Sequence, residues 1–267
     1  INLVSQKYYR GVNTLLLALH QQSFNFSSNV YATFNQWKDK GCNVKKRPDT
    51  LKKHEDWGAG IVFYAPVKKT VVKNNEEKTI SFPIMRTYRV FNAEQVEGAE
   101  KYIKPKEIAD PAKNHEMADL VIKSSGATIK QGPQALYRQS EDTIYIPPME
   151  SFVEGTNSYY GTVFHELIHW TGAEERLNRL DKFARFGNHT YALEELVAEI
   201  GGCFLLGAVN LPVLDKLENH VSYLKSWLSV LKQDNKAIFQ ASSAATAAAD
   251  FLLKKADIVK EEEKTDE

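Results

Sequence analysis

Residues 164–170 read Phe-His-Glu-Leu-Ile-His-Trp, and this stretch determines the fold expected for the second half of the chain. Two histidines four positions apart lie about 40° apart around a helix, one turn displaced, so both imidazoles can reach one ion. Glu166 lies beside the first histidine, where its carboxylate can take a proton from the attacking water. The stretch therefore predicts an HExxH-type hydrolase site with His165 and His169 as ligands and Glu166 as general base. We expect one Zn²⁺ per chain, with Mn²⁺ or another divalent ion as the alternative.

A catalytic metal site needs a third protein ligand, and the best source is the segment 191–199, Tyr-Ala-Leu-Glu-Glu-Leu-Val-Ala-Glu. Glu195 and Glu199 are one turn apart on the predicted helix and share a face, whereas Glu194 is expected to point elsewhere. Carboxylates entering so apolar a helix require a ligand or a counter-charge. We expect Glu195 to bind the metal. Glu199 is either the alternative ligand or the acceptor of a hydrogen bond from a ligand histidine. His189 is a rival ligand, but its loop setting favours a surface histidine.

The residues around the motif are expected to be structural. Trp170 is interpreted as a packing residue, and the charged group after Gly172 as a solvated helix face. That group comprises Glu174, Glu175, Arg176 and Arg179. Upstream, residues 135–138 and 143–146 predict a small hairpin. In metallopeptidases an edge strand before the metal helix can bind an extended substrate through its main chain, and an ordinary structural hairpin is the alternative.

Hydrophobic periodicity and the stop signals provided by glycine and proline predict an α+β protein. In the first half we expect a helix after Lys7, a helix over about 29–40, strands over 61–64, 70–73 and 79–91, and a linker over 92–113. In the second half we expect a helix from about Pro111, short strands over 127–130, 135–138 and 143–146, and helices over about 158–171, 191–209, 214–232 and 235–255. The predicted domains are 1–105 and 106–258, followed by a disordered acidic tail, 259–267.

The net charge of zero conceals an unequal distribution. Residues 1–92 contain 15 Lys+Arg and 6 Asp+Glu, a net +9, and residues 93–267 contain 19 and 28, a net −9. This split indicates two modules with different partners. No apolar run is long enough to cross a membrane, no signal peptide is visible, and Cys42 and Cys203 lack zinc-finger spacing. We therefore expect a cytosolic protein with reduced thiols and no membrane partner.

The basic first module, with aromatic residues among its cations, predicts a surface for single-stranded nucleic acid. Cations would follow the phosphates, and aromatic faces would stack on exposed bases. A solvated charged face is the alternative. The candidate DNA-binding residues are Arg10, Lys45, Lys46, Arg47, Lys52, Lys53, Trp57, Arg86 and Arg89.

Motifs in both halves resemble the ArdC-type antirestriction proteins of conjugative plasmids and related mobile elements, over roughly residues 8–256. The matching stretches of the first half are 9–13 (Tyr-Arg-Gly-Val-Asn), 33–37 (Thr-Phe-Asn-Gln-Trp), 58–64 (Gly-Ala-Gly-Ile-Val-Phe-Tyr) and 88–92 (Tyr-Arg-Val-Phe-Asn). Those of the second half are 159–172, which contains the specific block His-Glu-Leu-Ile-His-Trp-Thr-Gly, 176–179 (Arg-Leu-Asn-Arg) and 194–199 (Glu-Glu-Leu-Val-Ala-Glu).

The resemblance implies a single-stranded-DNA-binding domain joined to a zincin-like metallopeptidase domain. It also implies protection of incoming DNA from host restriction during conjugation. The stretch 195–199 is similar to that of ImmA/IrrE-type peptidases, in which the first Glu is the ligand, and this favours Glu195 over Glu199. Family members begin further upstream, so the resemblance implies that part of the first domain precedes Ile1. The cleaved protein is not implied. A metal site without proteolysis and a peptidase without a nucleic-acid role are the alternatives.

Overall fold

The computed structural model describes residues 1–52, 57–73, 76–103, 111–180, 189–211 and 237–258. The chain divides into two compact units, residues 1–107 and 108–267. Each unit combines helices with small sheets, so the predicted two-domain α+β fold is confirmed. Within the described residues, no helix is both long and apolar enough to span a membrane.

Unit 1 is built around a long β-hairpin. Its elements are α1 (Val12–Ser23), β1 (Tyr31–Thr33), α2 (Phe34–Asp39), β2 (Asn43–Val44), β3 (Ala59–Lys73), β4 (Glu76–Asn92) and β5 (Val96–Glu97). Strand β4 pairs with β3 along its length and with β1 at its end, giving an antiparallel sheet of order β1-β4-β3. Strands β2 and β5 form a second antiparallel pair. Two apolar clusters stabilise the unit, one around the fully buried Trp37 and one around Leu17, Tyr31 and Val90.

Two expectations for unit 1 are corrected. The helix predicted over 29–40 is a strand, Tyr31–Thr33, followed by a short helix, because Thr33 forms a reciprocal capping box with Gln36 and starts the helix there. The linker predicted over 92–113 is folded as far as residue 103. Ala93, Val96 and Ala99 are buried against the Trp37 cluster, so this polar segment contributes small apolar side chains to the core.

The three strands predicted between residues 61 and 91 form two continuous strands. Pro66 lies between the first two predicted strands and Pro83 lies inside the third, and the two prolines lie opposite each other in the ladder. Proline is tolerated where no hydrogen bond is needed on one side of a strand. Strand β3 lies at the edge of the sheet, and β1 pairs with β4 only at residues 90–92. Within the described part of the chain, both prolines therefore lie where one side of the strand has no partner.

Unit 2 carries a small sheet and a group of longer helices. Its elements are α3 (Pro111–Ser125), β6 (Thr128–Gln131), β7 (Leu136–Arg138), β8 (Thr143–Ile146), α4 (Thr156–Thr171), α5 (His189–Ala208) and α6 (Ala237–Lys255). The central strand β8 is parallel to β6 and antiparallel to β7. These elements confirm the predicted helices and short strands within a few residues. The helix predicted over 214–232 and the tail 259–267 lie outside the described residues.

Candidate metal centre

Helix α4 presents the two histidines of the HExxH stretch. The helix begins after Gly155, whose φ of 93° only glycine adopts without strain, and it ends at Gly172. Val163, Phe164, Leu167 and Ile168 are fully buried, so packing fixes the helix about its axis. His165 and His169 lie one turn apart and remain partly exposed, with side-chain exposures of 15% and 13%. The helix therefore holds both imidazoles side by side at a place that solvent can reach.

Helix α5 brings the carboxylate of Glu195 against both imidazoles. The two Nε2 atoms lie 3.1 Å apart. Oε2 of Glu195 lies 3.5 Å from Nε2 of His165, and Oε1 lies 3.5 Å from Nε2 of His169. Within the described part of the chain, these three residues form the one group that meets the geometric requirements for a metal site.

The chemistry and spacing of these donors fit a divalent cation. Zinc–nitrogen and zinc–oxygen bonds of ~2.0–2.1 Å place neighbouring ligand atoms of a tetrahedron ~3.3 Å apart, which matches the observed separations. The charge balance agrees. Glu166, Glu194, Glu195 and Glu199 are all buried, and Arg179 is the one buried cation among the described residues. Buried carboxylates in such excess require a compensating positive charge, which a bound divalent ion would supply.

Two further glutamates of α5 contact the outer nitrogens of the histidines. Oε1 of Glu199 lies 3.2 Å from Nδ1 of His165, and Oε1 of Glu194 lies 3.2 Å from Nδ1 of His169. An ionised carboxylate only accepts hydrogen bonds, so each Nδ1 carries the proton and each Nε2 keeps its lone pair for a cation. This contact places Glu199 against Nδ1 of His165, while Glu195 faces Nε2 of the same ring. The structure also corrects the expectation that Glu194 points elsewhere, because Glu194 contacts His169. Glu199 lies more than one helical turn further along the chain and contacts His165.

The structure also corrects the expectation that Arg176 and Arg179 form a solvated helix face. The guanidinium of Arg179 is buried and donates to both oxygens of Glu194, at 2.8 and 2.7 Å. Arg176 lies with its guanidinium carbon 3.9 Å from the ring centre of the buried Trp170 and donates to Asp142. The chain after Gly172 turns back onto the end of α4 instead of continuing as a helix, so both arginines face inward.

The close approach of α4 and α5 depends on Gly201. A Cβ atom there would lie 2.8 Å from Cδ1 of Ile168, too close for any ordinary contact. The missing side chain lets α5 pack directly against α4, which brings the glutamates within reach of the histidines.

The buried carboxylates are stabilised in their ionised form. Burial opposes ionisation of Glu194 and Glu195, but hydrogen bonds from Arg179 and His169 to Glu194, and the close approach of both imidazoles to Glu195, outweigh it. The pKa of each carboxyl is therefore lowered, and both are available as anions at neutral pH.

Comparisons with known proteins agree with this arrangement. Residues 1–91 match the model of the N-terminal domain of the anti-restriction factor ArdC, and residues 116–244 match the model of a zincin-like metallopeptidase. The chain is similar to the metal-free crystal structure of the antirestriction protein ArdC from plasmid R388, with a TM-score of 0.75 and 33% identity over 98% of this chain and 89% of that one. The chain belongs to the ArdC family of antirestriction proteins.

The chain is also similar to a second structure of the R388 protein and to two further sequences. The Mn(II)-bound structure of the R388 protein has a TM-score of 0.69 and 31% identity over 96% of this chain and 88% of that one. The uncharacterized protein y4eC of Sinorhizobium fredii is 31% identical over 94% of this chain and 80% of its own length. A DNA primase TraC of Escherichia coli is 31% identical over 95% of this chain, but the match spans only 24% of the primase.

The candidate DNA-binding cations of the ArdC-like unit 1 lie on its surface. Lys45 is anchored, since its ammonium group donates to the carbonyl of Glu94 at 2.9 Å, and Arg47 donates to the carbonyl of Lys52. Lys53 lies outside the described residues. The candidates with exposed side chains are Arg10, Lys45, Lys46, Arg47, Lys52, Arg86 and Arg89.

The aromatic candidate Trp57 is placed differently from the cations. Its indole N–H donates to the carbonyl of Lys45 at 3.1 Å, and its ring packs edge-on against Phe24. This half-buried setting favours a packing role. Phe63 and Tyr88 on the β3–β4 hairpin are more accessible, with exposures of 53% and 41%. Sequence reasoning did not single out Phe63.

Proposed function

We propose that this protein is an antirestriction protein of a mobile element, with single-stranded DNA bound by unit 1 and peptide bonds hydrolysed at a zinc site in unit 2. The triangle of donor atoms on His165, His169 and Glu195, at 3.1–3.5 Å, carries the hydrolytic half of the proposal. The family membership supports the antirestriction role. Such a role places the protein in the cytoplasm, where incoming DNA meets restriction enzymes.

The hydrolytic mechanism assigns a separate task to each residue. His165, His169 and Glu195 would hold the cation, which supplies Lewis acidity toward a peptide carbonyl. Glu199 and Glu194 hold the histidine rings in the tautomer that leaves Nε2 free to bind. Glu166, buried next to His165, would accept the proton of the attacking water and return it to the leaving amine. Zinc is proposed as the native ion, and Mn²⁺ remains the alternative.

The presence of Glu166 separates this proposal from a purely structural metal site. A structural site fills all its positions with protein ligands and needs no general base. Here His165, His169 and Glu195 would supply three ligands, and the buried Glu166 follows His165 directly in the chain. The strand β7 is an edge strand of the sheet in the same unit, so an extended substrate chain could pair with it. The protein that is cleaved is not implied by any of these features.

The DNA half of the proposal rests on one face of the β3–β4 hairpin. Phe63 lies directly opposite Arg86, and Ile61 directly opposite Tyr88. Opposite residues of an antiparallel pair share a face, so Phe63, Tyr88 and Arg86 lie together on that face. The two rings are 6.3 Å apart and meet at 74°, which leaves ring surface available to a base. Stacking beside a cation is the pattern by which proteins bind single strands without reading their sequence.

One sample can test both halves together. The purified protein should contain about one equivalent of zinc. It should also bind single-stranded DNA more tightly than a duplex of equal length. Phosphate neutralisation releases counterions, so affinity should fall with salt with a log–log slope of ~−0.7 per contacted phosphate. Charge reversal at Lys45, Lys46 and Arg47 should flatten that slope and leave the zinc content unchanged.

The outcomes discriminate among the three candidate functions. Zinc without single-strand binding at low salt would leave a peptidase with no nucleic-acid role. Single-strand binding and zinc, with no hydrolysis of any peptide in a degenerate library, would leave a DNA-binding protein whose metal site is not proteolytic.

A further inference from the structure

The buried arginine Arg179 lies behind the candidate metal centre and is not a ligand. Its side chain is 6% exposed and makes contacts in two directions. Toward α5, Nε and Nη2 donate to the two oxygens of Glu194 at 2.8 and 2.7 Å. Toward α4, Nη2 donates to the carbonyl of Ile168 at 2.8 Å. A fork of two parallel hydrogen bonds fixes both the position and the orientation of a carboxylate, which a point charge would not do.

The backbone between Gly172 and Leu180 positions this guanidinium. Gly172 ends α4, and a Cβ atom there would lie 2.9 Å from Nη2 of Arg179. Asn178 adopts a left-handed conformation with φ of 46°, which reverses the chain just before Arg179. The backbone N–H groups of Arg179 and Leu180 both donate to the carbonyl of Gly172. Three local features therefore direct one side chain toward the back of the centre.

The contacts of Arg179 continue to a proposed metal ligand. Glu194 is buried, and the oxygen that accepts from Nη2 of Arg179, Oε1, also lies 3.2 Å from Nδ1 of His169. We propose that Arg179 is a positioning residue for the metal centre, holding Glu194 so that Glu194 orients the His169 ring toward the ion. This inference rests on the proposed metal site and adds Arg179 to it.

The physical reason lies in the rotational freedom of two side chains. A glutamate without a partner can turn about three bonds, and a histidine ring can turn about two. The fork removes the freedom of Glu194, and the bond from Nδ1–H then removes that of His169. Residues that orient metal-bound histidines typically change metal affinity by ~10- to 100-fold when they are replaced.

A purely structural role is the competing explanation, because Arg179 also binds the carbonyl of Ile168 at the end of α4. Arg176 provides a matched control for this role. It lies in the same loop, and its Nε donates to the carbonyl of Trp170, also in the last turn of α4. Among the described residues, its other contacts are to Trp170, Tyr137 and Asp142, none of which is a proposed ligand or the carboxylate partner of one. Arg176→Gln and Arg179→Gln therefore each remove one positive charge and one hydrogen bond to a backbone carbonyl in the last turn of α4.

The test measures zinc affinity by competition with a chromophoric chelator, using the full chain and zinc alone as the probe. Arg179→Gln should bind zinc ~10- to 100-fold more weakly than wild type, and Arg176→Gln should stay within about twofold. Thermal unfolding of the metal-free proteins should be recorded in parallel. An equal loss of zinc affinity in the two variants would overturn the inference, and so would an unchanged affinity in Arg179→Gln.

A second substitution tests whether the effect passes through Glu194. Glu194→Gln leaves Arg179 bound to the carbonyl of Ile168 but removes the ionised acceptor of the fork, so it should lose zinc affinity by a similar factor. The double variant should lose little more than either single variant, because both act on one chain of contacts. Additive losses would contradict the inference. If Arg179→Gln does not fold, Glu194→Gln decides alone, and a loss below about twofold refutes the positioning role.

The failure of the inference can be told apart from failure of the proposed site. If wild type binds no zinc, the metal site itself is wrong and the inference falls with it. If wild type binds zinc and the Arg179 and Glu194 variants bind it equally well, only the positioning role is wrong.

Discussion

The two units differ in how their candidate functional residues are held. In unit 2, each side chain of the candidate centre is buried or nearly buried and is held by contacts with neighbouring side chains. For example, Arg179 donates to Glu194, and Glu194 contacts His169. In unit 1, the described candidate cations are exposed on the surface, and the aromatic pair Phe63–Tyr88 is exposed across the two strands of the β3–β4 hairpin. One unit thus presents a fixed geometry and the other presents an adaptable surface.

This difference corresponds to the chemistry that each unit is proposed to perform. A cation and a general base must be held to fractions of an ångström, so the ligands need partners of their own. A flexible single strand has many conformations and one repeating charge, so exposed cations and aromatic faces can bind it without a fixed pocket. Substitutions in unit 2 should accordingly have large effects on a single property, and substitutions in unit 1 should have smaller, graded effects.

The largest effect is expected for Glu166→Gln. The amide has nearly the same shape but cannot accept the proton of water, so hydrolysis should fall by at least ~100-fold. Zinc content and single-strand affinity should not change, because neither uses this carboxylate. The measurement is turnover of a peptide that wild type cleaves, selected from a degenerate library. Undiminished turnover by this variant would show that Glu166 is not the base.

A smaller effect is expected in unit 1 for Phe63→Ala. Loss of one stacking face should weaken single-strand binding by ~1–3 kcal/mol, or ~5- to 150-fold, with little change in the salt dependence. Trp57→Phe is the control, since it keeps an aromatic ring next to Phe24 while it removes the indole N–H and shortens the ring system. Its affinity should stay close to that of wild type. A fluorescence anisotropy titration with labelled single-stranded DNA measures both. A reversed order, with Trp57 more sensitive than Phe63, would return the stacking role to Trp57.

Much of the fold of unit 2 could be predicted from the sequence because its signals are local. The apolar periodicity around residues 158–171 and the breaks at Pro147 and Gly172 define helices and strands by themselves. Unit 1 was harder to predict. Its segment 93–103 is polar in composition, yet Ala93, Val96 and Ala99 fill a core around Trp37. Small side chains become core residues through tertiary contacts, which periodicity does not reveal.

At the candidate site, too, the sequence does not reveal the contacts that arise from tertiary packing. The spacing of His165 and His169 predicts their convergence, and the structure places Glu195 against both. The partners Glu194 and Arg179 were missed because they depend on how α5 and the chain after Gly172 pack against α4. A signal for Arg179 existed in its position shortly after the helix stop at Gly172, where an arginine can bind the last carbonyls of the helix.

The central claim is that His165, His169 and Glu195 bind one metal ion, and the zinc content of four single variants tests it most directly. His165→Ala, His169→Ala and Glu195→Gln should each lose the ion, whereas Glu199→Gln, which removes only the partner of His165, should retain it with an affinity ~10- to 100-fold weaker. Full zinc content in either histidine variant would contradict the site itself. Loss of zinc in Glu199→Gln with retention in Glu195→Gln would transfer the third ligand to Glu199.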